Sequence, residues 1–122
     1  MNWNITAGRP VYVQLVEQLE LALVAGEFPP GSRIPPVREL AADAGVNPNT
    51  MQRALSDLER EGLVYSQRTA GRFITEDQTM IETAKTELAE KLASDFLSSM
   101  KKIGYQPEEV IALLSKSKGE IS

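Results

Sequence analysis

The sequence contains no cysteine and no histidine. Without cysteine there are no disulfides, no thiolate metal sites and no thiol nucleophile. Without histidine the commonest general base and the commonest zinc ligand are both missing. No apolar run approaches the roughly 20 residues that a membrane-spanning helix needs. The first residues lack the basic-then-apolar pattern of a secretory signal. Neither an internal repeat nor a low-complexity tract is present. These absences lead us to expect a cytoplasmic protein with no membrane partner, no metal and no cofactor.

A chain of 122 residues has room for one ordinary domain or two very small ones. Net charge is −4, which argues mildly against a nucleic-acid partner, since basic domains are the usual footprint, and more strongly against non-specific coating of nucleic acid. The distribution of charge says more than its sum. The arginines (Arg9, Arg33, Arg38, Arg53, Arg60, Arg68 and Arg72) all precede the lysines (Lys85, Lys91, Lys101, Lys102, Lys116 and Lys118). Arginine forms planar bidentate contacts with phosphate and guanine, whereas lysine is a solvated point charge. The segregation suggests a recognition half followed by a solubilised assembly half, and compositional accident is the alternative.

Punctuation residues divide the chain. Met1 to Gly8 reads as an arm, ordered or loose, with Trp3 and Ile5 as its anchors. Pro10 opens a first helix whose apolar stripe is Tyr12, Leu15, Val16, Leu19, Ala22 and Leu23, and Gly26 ends it. Pro30-Gly31 fits the centre of a type II turn, and Ser32 to Ile34 has the length of a short strand. A second helix, Val37 to Ala44, buries Val37, Leu40 and Ala41 and stops at Gly45. Asn47-Pro48 is a helix start, asparagine as cap and proline at the first position. Met51, Ala54, Leu55 and Leu58 then follow at helical spacing up to Gly62. Two helices separated by so few residues, with a glycine between, have helix-turn-helix spacing. Leu63–Ser66 and Arg72–Thr75 have strand character around a polar tip. They form a hairpin directly after the third helix, the wing of a winged helix.

After Asp77 the texture changes. Met80, Ile81, Ala84, Leu88, Leu92, Phe96, Met100 and Ile103 mark a long amphipathic helix that ends at Gly104. Pro107 opens a shorter one bearing Val110, Ile111 and Leu114, and the tail from Lys116 to Ser122 is expected to fray. The fold class is therefore mainly α. It comprises an N-terminal winged helix-turn-helix (three helices plus a β-hairpin wing, residues 1–76) and a two-helix C-terminal dimerisation module (residues 77–122).

The segment from Gly26 to Thr75 reads GEFPPGSRIPPVRELAADAGVNPNTMQRALSDLEREGLVYSQRTAGRFIT. It resembles the DNA-binding domain of the GntR family of bacterial regulators. The matching features, in order, are the PPG turn, RIPPVRELA, GVNPNT, the A-L-x-x-L-E-x-x-G-L-V run and the glycine-containing wing. With the first helix included, the resemblance covers about two-thirds of the chain. The short helical tail together with NPNTMQRA resembles the YtrA subfamily, in which the tail serves dimerisation. The resemblance implies a transcription regulator whose partner is double-stranded operator DNA, and steric exclusion at promoters makes repression the expected sign of regulation. Two departures stand out: Pro36 occupies a position where many members have a capping serine, and Asn49 and Gln52 are uncharged where members outside this subfamily carry arginine.

The residues themselves point the same way. Burying Met51, Ala54, Leu55 and Leu58 leaves Asn49, Thr50, Gln52, Arg53 and Ser56 on the open face, near a helix N-terminus that suits phosphate. Glutamine can bridge adenine N6 and N7, and arginine guanine O6 and N7. The bland alternative is a solvated helix face. Arg38 stands where an arginine typically contacts DNA in the family, and its alternative is a surface ion pair with Glu39, Asp43 or a neighbour. Arg33 touches phosphate or merely flanks the short strand. Arg68 and Arg72 flank the wing tip, as backbone or minor-groove anchors or as an ordinary charged hairpin. Asn47 and Gly71 complete the expected DNA-binding set, Gly71 more for backbone conformation than for contact.

One recognition helix reads too few base pairs to select a genomic site, and dimers double the contact across half-sites roughly 34 Å apart. The stripe Ile81, Ala84, Leu88, Leu92, Phe96 and Met100, with Val110 and Leu114 from the shorter helix, is the expected homodimer surface, isologous about a two-fold axis. Intramolecular packing that gives a monomer is the alternative. So short a helical tail leaves little room for an enclosed effector pocket, which typically runs to several hundred Å³. A small-molecule effector of unspecified identity is thus expected only at a dimer interface. An enzyme would have to work with Glu59 and Glu61 or with Glu108 and Glu109, pairs too close along helices to face one substrate. A winged helix used only for protein contacts is the other rival.

Overall fold

In the computed structural model of the chain, residues 1–117 are described; the expected fraying of the tail falls mostly outside them. The elements run α1 (Val11–Val24), α2 (Val37–Ala44), α3 (Pro48–Arg60), β1 (Val64–Gln67), β2 (Gly71–Ile74), α4 (Gln78–Lys102) and α5 (Pro107–Lys116). The chain divides into two compact units, Met1–Lys85 and Thr86–Ser122, and α4 is continuous across the division. The architecture is a winged helix-turn-helix followed by C-terminal helices, as the sequence predicts.

α3 is central to the first unit. Met51, Ala54, Leu55 and Leu58 are all essentially inaccessible, and the helix packs on α1, α2 and β1. Its start is built as expected: the Asn47 side chain accepts from the Asn49 N–H at 2.7 Å, with Pro48 in the first turn. Its end is a Schellman motif. The Gly62 N–H donates to the Glu59 carbonyl and the Leu63 N–H to the Leu58 carbonyl, both at 3.0 Å. Gly62 is required by its backbone, with φ +81°, and a Cβ there would lie 2.9 Å from Met80 Sδ, at the flexible end of that side chain. α2 lacks a side-chain cap at Pro36 and ends on Gly45 at φ 72°.

The hairpin pairs Val64 with Ile74, Tyr65 with Phe73, Ser66 with Arg72 and Gln67 with Gly71. Each strand lies one residue nearer the tip than the sequence suggests. The Schellman motif takes the Leu63 N–H, so pairing begins at Val64, and a turn closed by the Ala70 N–H on the Gln67 carbonyl (3.0 Å) completes the tip. The expected short strand at Ser32–Ile34 exists as a bridge between Arg33 and Phe73. Around it Ile34 N–H donates to Arg72 O and Ile74 N–H to Ser32 O, both at 2.9 Å. β2 is thereby satisfied on both edges. The turn before it is closed by Ser32 N–H on Pro29 O at 3.0 Å with Gly31 at φ +76°, as a type II turn requires.

The arm is ordered, and two glutamines one turn apart on α1 hold it. Gln18 brackets Asn4, accepting from its N–H at 2.9 Å and donating to its carbonyl at 2.8 Å. Gln14 brackets Thr6 in the same way, both bonds at 2.8 Å, and also donates to the Arg9 carbonyl at 3.0 Å. Each side-chain amide acts as a peptide group of a neighbouring strand would. That is why Gln14 tolerates 2% exposure: its buried donor and acceptor are both paired. Trp3 adds a bond from its indole N–H to Asp43 on α2, at 3.1 Å.

One expectation is corrected here. Ile81 and Ala84, assigned to the dimer surface, belong to the apolar core of the first unit together with Leu15, Leu55 and Ile74. Helical spacing is the same whether a stripe meets its own chain or another. The first two turns of α4, capped by the Asp77 carboxylate on the Thr79 and Met80 N–H groups, are used within the chain.

In the second unit Val110, also expected on the dimer surface, is instead buried within the chain, and the Glu109 carboxylate accepts from the Gln106 N–H at 3.0 Å to start α5. Leu92 remains 56% exposed, Phe96 41% and Leu114 44%. Leu88 and Met100 are half-buried. Among the described residues no helix is long and apolar enough to cross a membrane.

Replacing Gln14 by alanine removes the clamp on Thr6 and Arg9 without touching the apolar core. The expected loss is about 2 kcal/mol of unfolding free energy, read from denaturant titration. A loss below about 0.5 kcal/mol would mean that the Gln14 clamp contributes nothing to the folded unit.

Candidate nucleic-acid interface

The open face of α3 carries the side chains that the sequence singles out. Asn49, Gln52 and Arg53 are exposed, and Thr50 and Ser56 are half-buried. The Ser56 hydroxyl donates back to the Gln52 carbonyl at 3.0 Å. The helix start differs from expectation in one respect. Pro48 has no N–H, the Asn49 N–H is taken by the Asn47 side chain, and the Thr50 N–H donates to the Asn47 carbonyl at 3.0 Å. Free backbone donors are therefore scarce at this end. Asn47 is itself engaged as the cap, so recognition here rests on the side chains beyond it.

The arginines fall into two groups. Arg9 pairs with Glu17, Arg60 with Asp57 and Arg72 with Glu59. Arg33, Arg38, Arg53 and Arg68 are exposed and form no ion pair among the described residues. The surface ion pair that offered an alternative for Arg38 is not formed; Asp43 instead accepts from Trp3. Arg53 is held differently: its guanidinium lies over the Tyr12 ring, 3.8 Å from the centroid. Stacking on the π face orients the plane and leaves the N–H edges free. Tyr12 reads in the sequence only as a member of the α1 stripe, and nothing in its spacing marks this second use.

Arg33 lies beside the wing. A Cβ on Gly71 would sit 2.9 Å from Arg33 Nε, and Gly71 has φ +109°. Glycine at 71 thus serves both the backbone conformation and the passage of the Arg33 side chain. Arg68 stands at the tip.

Arg72, expected as a wing anchor, is tied into the protein. Its Nε donates to Glu59 Oε1 at 2.5 Å and its Nη1 to Gln52 Oε1 at 3.3 Å. The Ser66 hydroxyl donates to the same Glu59 oxygen at 2.7 Å. Glu59 and Gln52 are seven residues apart on α3, hence on one face, and Ser66 and Arg72 are cross-strand partners. The wing is thus fastened to the recognition helix by a polar frame. Glu59 entered the sequence reading only as half of a carboxylate pair with Glu61. The bond from Arg72 is the main reason its pKa is held below the ordinary value, with Ser66 and the Arg72 charge adding to it and burial opposing it.

A depressed folded-state pKa has a definite sign. The frame's ionic contribution to stability is fully present above the ordinary glutamate value of 4.5. It fades as pH falls below that value and is lost once pH passes below the folded-state pKa. Glu59→Gln removes this titration. The stability gap between wild type and Glu59→Gln, measured by urea unfolding from pH 7 downward, should narrow as pH drops below 4.5. A gap that stays constant into acid would show that the carboxylate charge contributes nothing to the frame.

Comparison with known proteins supplies the family. The model of the bacterial regulatory proteins, gntR family, matches residues 11–74, the span from α1 to the end of β2. The HTH-type transcriptional repressor YtrA of Bacillus subtilis is 38% identical over 85 residues, 68% of this chain and 65% of YtrA. A GntR family transcriptional regulator from Listeria monocytogenes superposes with a TM-score of 0.83 at 36% identity, covering 91% of this chain and 97% of that one. The DNA-binding domain of AraR, solved in complex with operator ORR3, superposes with a TM-score of 0.52 at 29% identity, over 60% of this chain and 96% of that one. The helix-turn-helix, its wing and these matches converge: the chain belongs to the GntR family of bacterial regulatory proteins.

Proposed function

We propose that the chain is a cytoplasmic, homodimeric repressor that binds a two-fold symmetric operator and acts by occupancy, not by catalysis. The observation that carries this reading is the division of the arginines. Arg33, Arg38, Arg53 and Arg68 are exposed and form no ion pair among the described residues, while Arg9, Arg60 and Arg72 are neutralised within the protein. Cations without partners beside an open helix face are what phosphate neutralisation requires. α3 enters the major groove, with Asn49, Thr50, Gln52 and Arg53 as base readers. Arg33, Arg38 and Arg68 contact phosphate. Asn47, Gly71 and Arg72 keep the reading surface in shape. The repressor name borne by YtrA and the operator complex of AraR support the same reading.

Residues 1–76 bind DNA and residues 77–122, apart from the first two turns of α4 that pack into the first unit, join two copies. Leu88, Leu92, Phe96, Met100, Val110 and Leu114 supply the second unit's apolar side chains. The exposure of Leu92, Phe96 and Leu114 is surface that a two-fold contact would remove from water, at roughly 25 cal/mol per Å². A small-molecule effector, where one acts, binds between the copies and alters the spacing of the winged helices.

Selection from random duplex DNA should return a two-fold symmetric site. Arg53→Ala should weaken the best site by about 1–3 kcal/mol and relax one position per half-site. If no sequence is enriched and binding is absent at low salt, the winged helix serves protein contacts instead. Phe96→Asp places a charge in the proposed dimer contact. Sedimentation should then report a folded monomer with operator affinity reduced by tenfold or more, and an unchanged dimer would move the contact elsewhere.

A further inference from the structure

The polar frame between α3 and the wing does more than fasten them. We propose that Arg72 is a positioning residue that sets which edge of the Gln52 amide faces DNA, so that Gln52 reads guanine and not adenine. The inference rests on the reading of α3 as the base-contacting helix.

The argument starts from the chemistry of the amide. Glutamine presents one acceptor oxygen and two donor protons. Bidentate reading of adenine needs both edges, the oxygen for N6–H and the NH2 for N7. Here the oxygen is the edge turned to the wing, where Arg72 Nη1 donates to it. Turning the amide over would set its NH2 against the guanidinium, donor against donor. The oxygen keeps a second lone pair, but it is turned to the wing, so the edge presented to DNA is the NH2. Guanine offers two neighbouring acceptors, N7 and O6, whereas an A·T pair sets the adenine N6–H donor between its acceptors. A fixed NH2 matches the former.

Arg72 is suited to this task and not to holding phosphate. Its charge is matched by Glu59, and its side chain is only 18% exposed. A neutralised, half-buried guanidinium adds little attraction for the DNA backbone, but it is a well-defined donor. Glu59, fixed in turn by Ser66, sets the direction from which Arg72 approaches. Arginine is needed because it spends two different nitrogens, Nε on Glu59 and Nη1 on Gln52. Lysine has three donors but on a single nitrogen, which cannot occupy the Nε and Nη1 positions at once.

The test compares selected sites for the wild-type protein, Gln52→Ala and Arg72→Lys, followed by Kd measurement on duplexes that differ only at the position whose preference Gln52→Ala abolishes. That position should be a G·C pair for wild type. Arg72→Lys keeps a charge opposite Glu59 but frees the amide to turn. Its discrimination between G·C and A·T there should fall by about tenfold, while preferences elsewhere in the half-site persist. An A·T pair at that position in the wild-type site overturns the proposal without recourse to any Arg72 variant. So does discrimination that survives Arg72→Lys intact, or a loss that is uniform across sequences with a shallower salt dependence, which would make Arg72 a phosphate anchor. If Gln52→Ala changes no preference at all, Gln52 reads no base, and it is the underlying assignment that fails.

Discussion

Burial of one face of α3 is the constraint on which the first unit depends. Met51, Ala54, Leu55 and Leu58 anchor the helix against α1, α2 and β1. Because a helix has a fixed 3.6-residue repeat, fixing those four fixes the outward direction of Asn49, Gln52 and Arg53 as well. The recognition surface is thus a by-product of core packing. A side chain on a buried helix can be aimed far more narrowly than one on a loop. The Schellman turn at Gly62 carries the same constraint into the hairpin, since it determines where β1 begins and which residues stand opposite one another across the wing.

Much of this was legible in the residue order. Proline, glycine and asparagine bound the helices, and α2 and α3 begin and end where Pro36, Gly45, Asn47 and Gly62 indicate. The strands were legible only to within one residue, because the strand-like composition of Leu63 does not reveal that its N–H is already committed to Leu58. Long-range pairing was not legible. Gln14 is polar and sits beside an apolar stripe, and its burial makes sense only once the arm's backbone is seen to supply its partners. Ile81 and Ala84 begin a stripe whose later members are exposed or half-buried, and the period of a stripe says nothing about which surface it meets.

The site shows the same division. Sequence identified Arg38 and Arg53 correctly as exposed cations on α2 and α3, and it offered a charged hairpin as the alternative for Arg72. Which alternative applies depends on Glu59, thirteen residues earlier on a different element. Net charge was a poor guide for a related reason. Acidic side chains neutralise Arg9, Arg60 and Arg72 and leave the others alone, so local potential departs from the total of −4.

The stack of Arg53 on Tyr12 has a thermodynamic consequence. A free arginine at an interface gives up its rotamer freedom when it docks, at a cost of about 0.5–1.5 kcal/mol per immobilised side chain. Resting on an aromatic platform, Arg53 has already surrendered much of that freedom in the unbound protein. The ordering is charged to folding instead of to association, where it would count against every encounter with DNA. A correct contact then closes with less to rearrange, and its advantage appears chiefly as slower dissociation.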